Sequence, residues 1–154
     1  MALRHESVGV DAEPGLTHTL VTTPANTADV SVAHELLHGT EKLAFGDAGY
    51  QGVDKRDAQK RVKARWHVAM RPGKRHALRQ NPMGRILEEL EQLKASVRAK
   101  VEHPFHIIKN LFGLRKVRYR GLAKNTARLY TLFGLANLVI AGRKLGAPHA
   151  RIAS

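Results

Sequence analysis

Lys42-Leu-Ala-Phe-Gly-Asp47-Ala-Gly-Tyr-Gln-Gly52 carries a short apolar run into an aspartate and then into a glycine-punctuated turn. The run predicts a strand from Lys42 to Gly46 that delivers Asp47 to the mouth of the turn. A second stretch, Arg98-Ala-Lys-Val-Glu102-His-Pro-Phe-His-Ile-Ile-Lys109, predicts a helix. At about 100° per residue, Arg98 and Glu102 lie one turn apart and Lys109 returns close to the same face. One carboxylate is therefore flanked by two cations. Two readings fit: a surface ion pair, or an acid that helps hold a divalent metal while the cations meet phosphates. In the second reading, Asp47 supplies another metal ligand.

Working outward, strands and helices surround these two stretches, which predicts an α/β chain. Val8-Gly-Val-Asp11 reads as a strand end, Glu13-Pro-Gly15 as a turn, and Leu16-Thr-His-Thr-Leu-Val-Thr-Thr23 as a strand rich in β-branched residues. An antiparallel hairpin follows from that order. Pro24-Ala-Asn26 breaks it, and Ser31 is placed to cap a short helix to about His38, ended by Gly39. A helix is expected from Asp54 to Lys63, a strand over Trp66-His-Val-Ala-Met70, a stop at Arg71-Pro-Gly73 and a basic loop over residues 74–82. Further helices are expected from Gly84 to Asn110, bent by Pro104 just beyond Glu102, and from Asn125 to Leu145. Gly146 to Ser154 reads as a frayed, flexible tail. There is no internal repeat.

Charge points to the same kind of partner as the second reading. Lys and Arg number 26 against 13 Asp and Glu, for a formal charge of +13. The imbalance is segregated, with residues 1–57 carrying a net −5 and residues 58–154 a net +18. A basic half after an acidic one is the footprint of a surface that tracks a polyanion beside another that gathers carboxylates. A merely solvated basic surface and an anionic membrane are the competing readings. Cysteine is absent, which removes disulfides and thiolate zinc sites and agrees with a reducing cytoplasm. The apolar run from Leu129 to Ala141 is shorter than the roughly 20 residues that span a bilayer. No membrane role is expected, and a chain of 154 residues suits one domain or part of one.

His34-Glu35-Leu-Leu-His38 matches H-E-x-x-H, in which two histidines bind zinc and the glutamate acts as base. The expected helix stops at Gly39, directly after the second histidine, and no third ligand stands at a diagnostic spacing, which disfavours zinc hydrolysis. Trp66 and Phe112 sit among apolar neighbours and read as core rather than base-stacking platforms. Arg115-Lys-Val-Arg118-Tyr119-Arg120 interleaves cations with an aromatic ring, which suits a nucleic-acid backbone or a solvated basic loop. Asp54 and Asp57 read as a helix cap and a first-turn charge.

Lys42 to Gly52, Arg98-x3-Glu102-x6-Lys109 and Phe112-Gly-Leu-Arg-Lys-Val-Arg-Tyr-Arg-Gly-Leu122 together resemble the C-terminal half of DDE transposases. The likeness is to bacterial elements of the insertion sequence 5 group, within the insertion sequence 4 superfamily, and extends from about Ser7 to Gly142. It implies a ribonuclease-H-like core in which two Asp and one Glu bind two Mg2+ (or Mn2+) ions for DNA strand cleavage and transfer. Asp47 would be the second acid and Glu102 the third, both catalytic and both metal ligands. Arg98 and Lys109 match the Arg and Lys of the family signature Tyr-x2-Arg-x3-Glu-x6-Lys and would grip transposon-end phosphates. Arg115, Lys116, Arg118 and Arg120 would extend that DNA contact. Ala95 stands where the signature has Tyr.

The family's first catalytic Asp lies on a central strand upstream of the segment matching Val8 to Asp11, and nothing in Met1 to Glu6 resembles it. Residues 1–145 are thus expected to form a truncated catalytic domain, a ribonuclease-H-like core without its first strand, followed by C-terminal helices. Asp11 ends a strand but occupies a different position from the absent acid. The expected product is a transposase fragment of DNA recombination that no longer cuts DNA, or a non-catalytic DNA-binding remnant that interferes with a full-length enzyme. Its expected location is the bacterial cytoplasm, at the nucleoid. Its exposed sheet edges invite pairing with a second copy or with full-length transposase.

Overall fold

The computed structural model describes residues 5–24, 26–78, 83–115 and 119–146. Strands β1 (His5–Val10) and β2 (Thr17–Thr23) form the expected antiparallel hairpin, with a register shift between Gly9 and Val10. Two bonds close its turn, from Asp11 N–H to the Leu16 carbonyl and from Gly15 N–H to the Asp11 carbonyl, both 3.0 Å. Strands β3 (Leu43–Gly46) and β4 (Arg65–Val68) pair in parallel as a separate two-stranded sheet. Three helices follow: α1 (Pro72–Leu78), α2 (Gly84–Asn110) and α3 (Leu122–Lys144). Among the described residues the architecture is mixed α/β, built from two small sheets followed by helices.

The main core lies between the hairpin and the two long helices. Leu20 of β2 meets Ile107 and Ile108 of α2 and Leu129, Leu132, Phe133, Ala136 and Ile140 of α3. Phe105 and Phe133 meet edge to face at 5.1 Å, a geometry that adds to plain area burial. Polar side chains then set the register of α3 on the hairpin. Asn137 accepts from Thr17 N–H at 2.8 Å and donates to the Thr17 carbonyl at 2.7 Å, while the Tyr130 hydroxyl donates to the Leu20 carbonyl. A smaller cluster of Val30, Ala33 and Val53 lies under Tyr50, Trp66 and Val68. There Tyr50 stacks on Trp66, whose indole N–H donates to Gln59 Oε1.

Several expected elements form differently. The helix from Ser31 to His38 is replaced by two 3-10 turns, Asp29–Ser31 and Ala33–Leu36. Ser31 does not cap, because its hydroxyl donates back to the Ala28 carbonyl at 2.6 Å. Val30, Ala33 and Leu36 are all buried, and their three-residue spacing stacks on one face of a 3-10 turn. Residues expected to form a helix from Asp54 to Lys63 likewise give the turns Val53–Lys55 and Asp57–Arg61. The expected basic loop over residues 74–82 is helical as far as Leu78, and residues 79–82 fall outside the described set. Helix α3 begins three residues before the expected Asn125. Helix α2 has the expected limits and continues through the fully buried Pro104. The proposed tail beyond Gly146 also falls outside the described residues.

Candidate metal and nucleic-acid site

Asp47 owes its position to the glycines around it. It follows β3 and caps the 3-10 turn Ala48–Tyr50, its Oδ1 accepting the Gly49 N–H at 2.8 Å. A Cβ on Gly49 would come within 3.0 Å of that oxygen, and one on Gly46 within 3.0 Å of the Tyr50 Cβ. Both glycines let the turn fold tightly over the strand end. Tyr50 is anchored in turn, its hydroxyl bonded to Ser7 and its pKa raised by burial. Ser7, itself buried, donates to Asp29 Oδ1 at 3.2 Å.

Glu102 approaches from α2. Asp47, Arg98 and Glu102 all line one cavity of about 470 Å³, walled by β1, β3 and α2. Residues 6–11 and 43–47 line it consecutively. Successive strand residues face opposite sides, so an unbroken run means that the cavity abuts the strand edges rather than a sheet face. β1 and β3 thus border a slot without pairing across it. Three acids that the sequence analysis does not single out, Glu6, Asp29 and Glu41, also line this cavity, and no motif marks any of them.

The ion-pair reading of Glu102 does not hold in this geometry. Among the described residues, the ion pairs that involve α2 are Arg75–Glu88 and Glu91–Lys94, and none joins Glu102 to Arg98 or Lys109. Glu102 is exposed at the cavity, Arg98 is half-buried beside it, and Lys109 lies 5.8 Å above the ring of Phe105, another lining residue. Arg115 and Arg120 are exposed on the connection from α2 to α3. Lys116 and Arg118 lie outside the described residues.

Asp11 stands at the other end of the slot. It acts with Glu41, ahead of β3, on the ring of His18, whereas Tyr50, after β3, bonds Ser7 near the start of β1. The two strands therefore run in opposite directions along the cavity.

The H-E-x-x-H histidines do not share a helical face either. His34 and Glu35 lie in a 3-10 turn, after which Leu37 is extended and carries His38 away.

The model of the transposase DDE domain family matches residues 2–138. The chain belongs to the transposase DDE domain family. In this member of the family, Asp47 at the end of β3 and Arg98 and Glu102 on α2 line the same cavity. No solved structure matches this transposase domain. Among its described residues, no helix is long and apolar enough to cross a membrane.

Proposed function

We propose that this transposase domain acts on the ends of an insertion sequence of the insertion sequence 5 group. In this reading it has a ribonuclease-H-like core, with Asp47 and Glu102 as metal ligands and Arg98 and Lys109 as phosphate contacts. The observation that carries the reading is the single cavity lined by Asp47, Arg98 and Glu102. The donor set suits a hard cation such as Mg2+ or Mn2+, because both groups are exposed carboxylates and Asp47 engages only Oδ1 in its turn. When bound, such ions activate a water or DNA 3′-hydroxyl and stabilise the leaving oxygen. Arg98, with a planar fork of donors, is suited to hold a phosphate in a fixed orientation, and Lys109 adds a point charge farther along the same helix. Arg115, Lys116, Arg118 and Arg120 continue the basic track, consistent with a nucleoid location in a bacterial cytoplasm.

The 154-residue chain on its own binds DNA without cutting it. Pairing with another chain is supported by the slot between β1 and β3, whose edges, among the described residues, are paired only on their outer sides, so that a strand from a second copy or from full-length transposase has a place to add. The segregated charge, −5 against +18, favours retained DNA binding and hence interference with a full-length enzyme. Incubating the purified chain with element-end duplex and Mg2+ or Mn2+ should give bound, intact DNA. Strand nicking that Asp47→Ala abolishes would show that the chain is catalytic instead.

A further inference from the structure

His18, His38 and Glu41 come from two separate parts of the chain and meet in space. His18 lies on β2, while His38 and Glu41 lie in the segment leading to β3. The ligand atoms of all three fall within 4.8 Å of one another, and the two imidazole rings are 4.3 Å apart between centroids. Ligands at Zn–N and Zn–O distances in a tetrahedral site stand about 3.4 Å apart, so small side-chain rotations close the set on one ion.

Each group is also prepared for the role by its neighbours. His18 Nδ1 is 2.8 Å from the Thr19 hydroxyl. Donation from Nδ1 to that oxygen leaves Nε2 with its lone pair, which is how an outer partner orients a ligating imidazole. Glu41 is held by the chain itself: its two oxygens accept the N–H groups of His38 at 2.7 Å and Gly39 at 2.8 Å. Gly39 adopts φ +89°, where a side chain would be strained, and so permits the reversal that brings His38 and Glu41 together. Asp11 Oδ1 lies 3.9 Å from His18 Nε2, a further carboxylate at the rim.

We infer that His18, His38 and Glu41 form a binding site for a divalent transition-metal ion of the zinc type. Two imidazoles and one carboxylate select such an ion over Mg2+, which takes oxygen ligands. The bound ion clamps the hairpin to the segment that leads into β3, and so steadies the strand that ends at Asp47. His38, half of a linear motif that the fold pulls apart, gains its partners across the hairpin instead.

The test uses the untagged 154-residue chain, stripped with a chelator and dialysed. It is titrated with Co2+, followed by visible absorption, and with Zn2+ by calorimetry. One equivalent of Co2+ should bind, be displaced by one equivalent of Zn2+ and resist a large excess of Mg2+. His38→Ala and Glu41→Gln should each weaken binding at least tenfold, whereas Asp47→Ala and His34→Ala should leave it unchanged. His38 is exposed, so its variant should keep the wild-type circular dichroism. Zn2+ should raise the Tm of the wild type but not of His38→Ala. Absence of stoichiometric Co2+ binding, binding that survives both His38→Ala and Glu41→Gln, or binding lost in His34→Ala would overturn the proposal. Because Asp47→Ala is neutral for this ion, the result stands or falls apart from the site at Asp47 and Glu102.

Discussion

The carboxylate of Glu91, only 4% exposed, accepts the backbone N–H of Met70 at 2.8 Å and so fastens helix α2 to the end of strand β4. Lys94 completes the joint, its ammonium 2.7 Å from the other Glu91 oxygen and 3.2 Å from the Val68 carbonyl. This joint sets the position of α2, and through it the approach of Glu102 to the cavity. Glu91→Ala leaves Lys94 and the Met70 N–H without their buried partner, and breaking a buried pair in this way costs about 3 kcal/mol. Urea unfolding should show that loss as a lower midpoint at unchanged slope.

The same carboxylate sets an acid limit to stability. Burial opposes its ionisation, but Lys94 and the Met70 N–H hold its pKa below the ordinary glutamate value of 4.5. As pH falls, the unfolded state therefore takes up the proton first. The stabilisation is fully present above about pH 4.5 and is lost as pH drops through the lower, folded pKa. Unfolding midpoints measured across that range should fall less steeply for Glu91→Gln than for the wild type.

Asn125 is buried at the start of α3, where its amide donates to the carbonyls of Tyr119 and Gly121 and its oxygen accepts the Tyr119 N–H. Asn125→Ala should cost about 2 kcal/mol, the range for several lost backbone partners at a helix start. A thermal melt checks this, and Asn125→Asp should recover only the part that comes from accepting the Tyr119 N–H.

DNA affinity should carry the counterion signature of phosphate contact. Arg98→Ala and Lys109→Ala should each reduce the slope of log affinity against log salt by about 0.9 for duplex DNA. Their effects should be similar for unrelated sequences, because phosphate contacts position a protein without reading bases. Fluorescence anisotropy across a salt series makes the measurement.

Much of the fold was legible where periodicity was sustained or turn chemistry unambiguous. The hairpin at Glu13-Pro14-Gly15, the strand into Asp47 and the limits of α2 all follow from local pattern. The short segments were not legible, because tertiary burial decided between an α-helix and a 3-10 turn at Val30, Ala33 and Leu36. Helix α1 was not legible because Arg71-Pro72-Gly73 also suits a stop. Proline also suits the first position of a helix, and α1 begins at Pro72 and places Arg75 on Glu88 in a two-pronged ion pair. Within the site, the strand and helix positions of Asp47 and Glu102 were readable. The cluster of His18, His38 and Glu41 was not, since the linear motif pairs His38 with His34 while the fold pairs it with His18.

The most direct test of the account is Mn2+ binding to the chelator-treated chain, followed by electron paramagnetic resonance. A weakly bound Mn2+ ion should be released at least tenfold more readily in Asp47→Ala and in Glu102→Ala, with His38→Ala as an unaffected control. Binding that is the same in Asp47→Ala or in Glu102→Ala as in the wild type would contradict a metal site shared between β3 and α2.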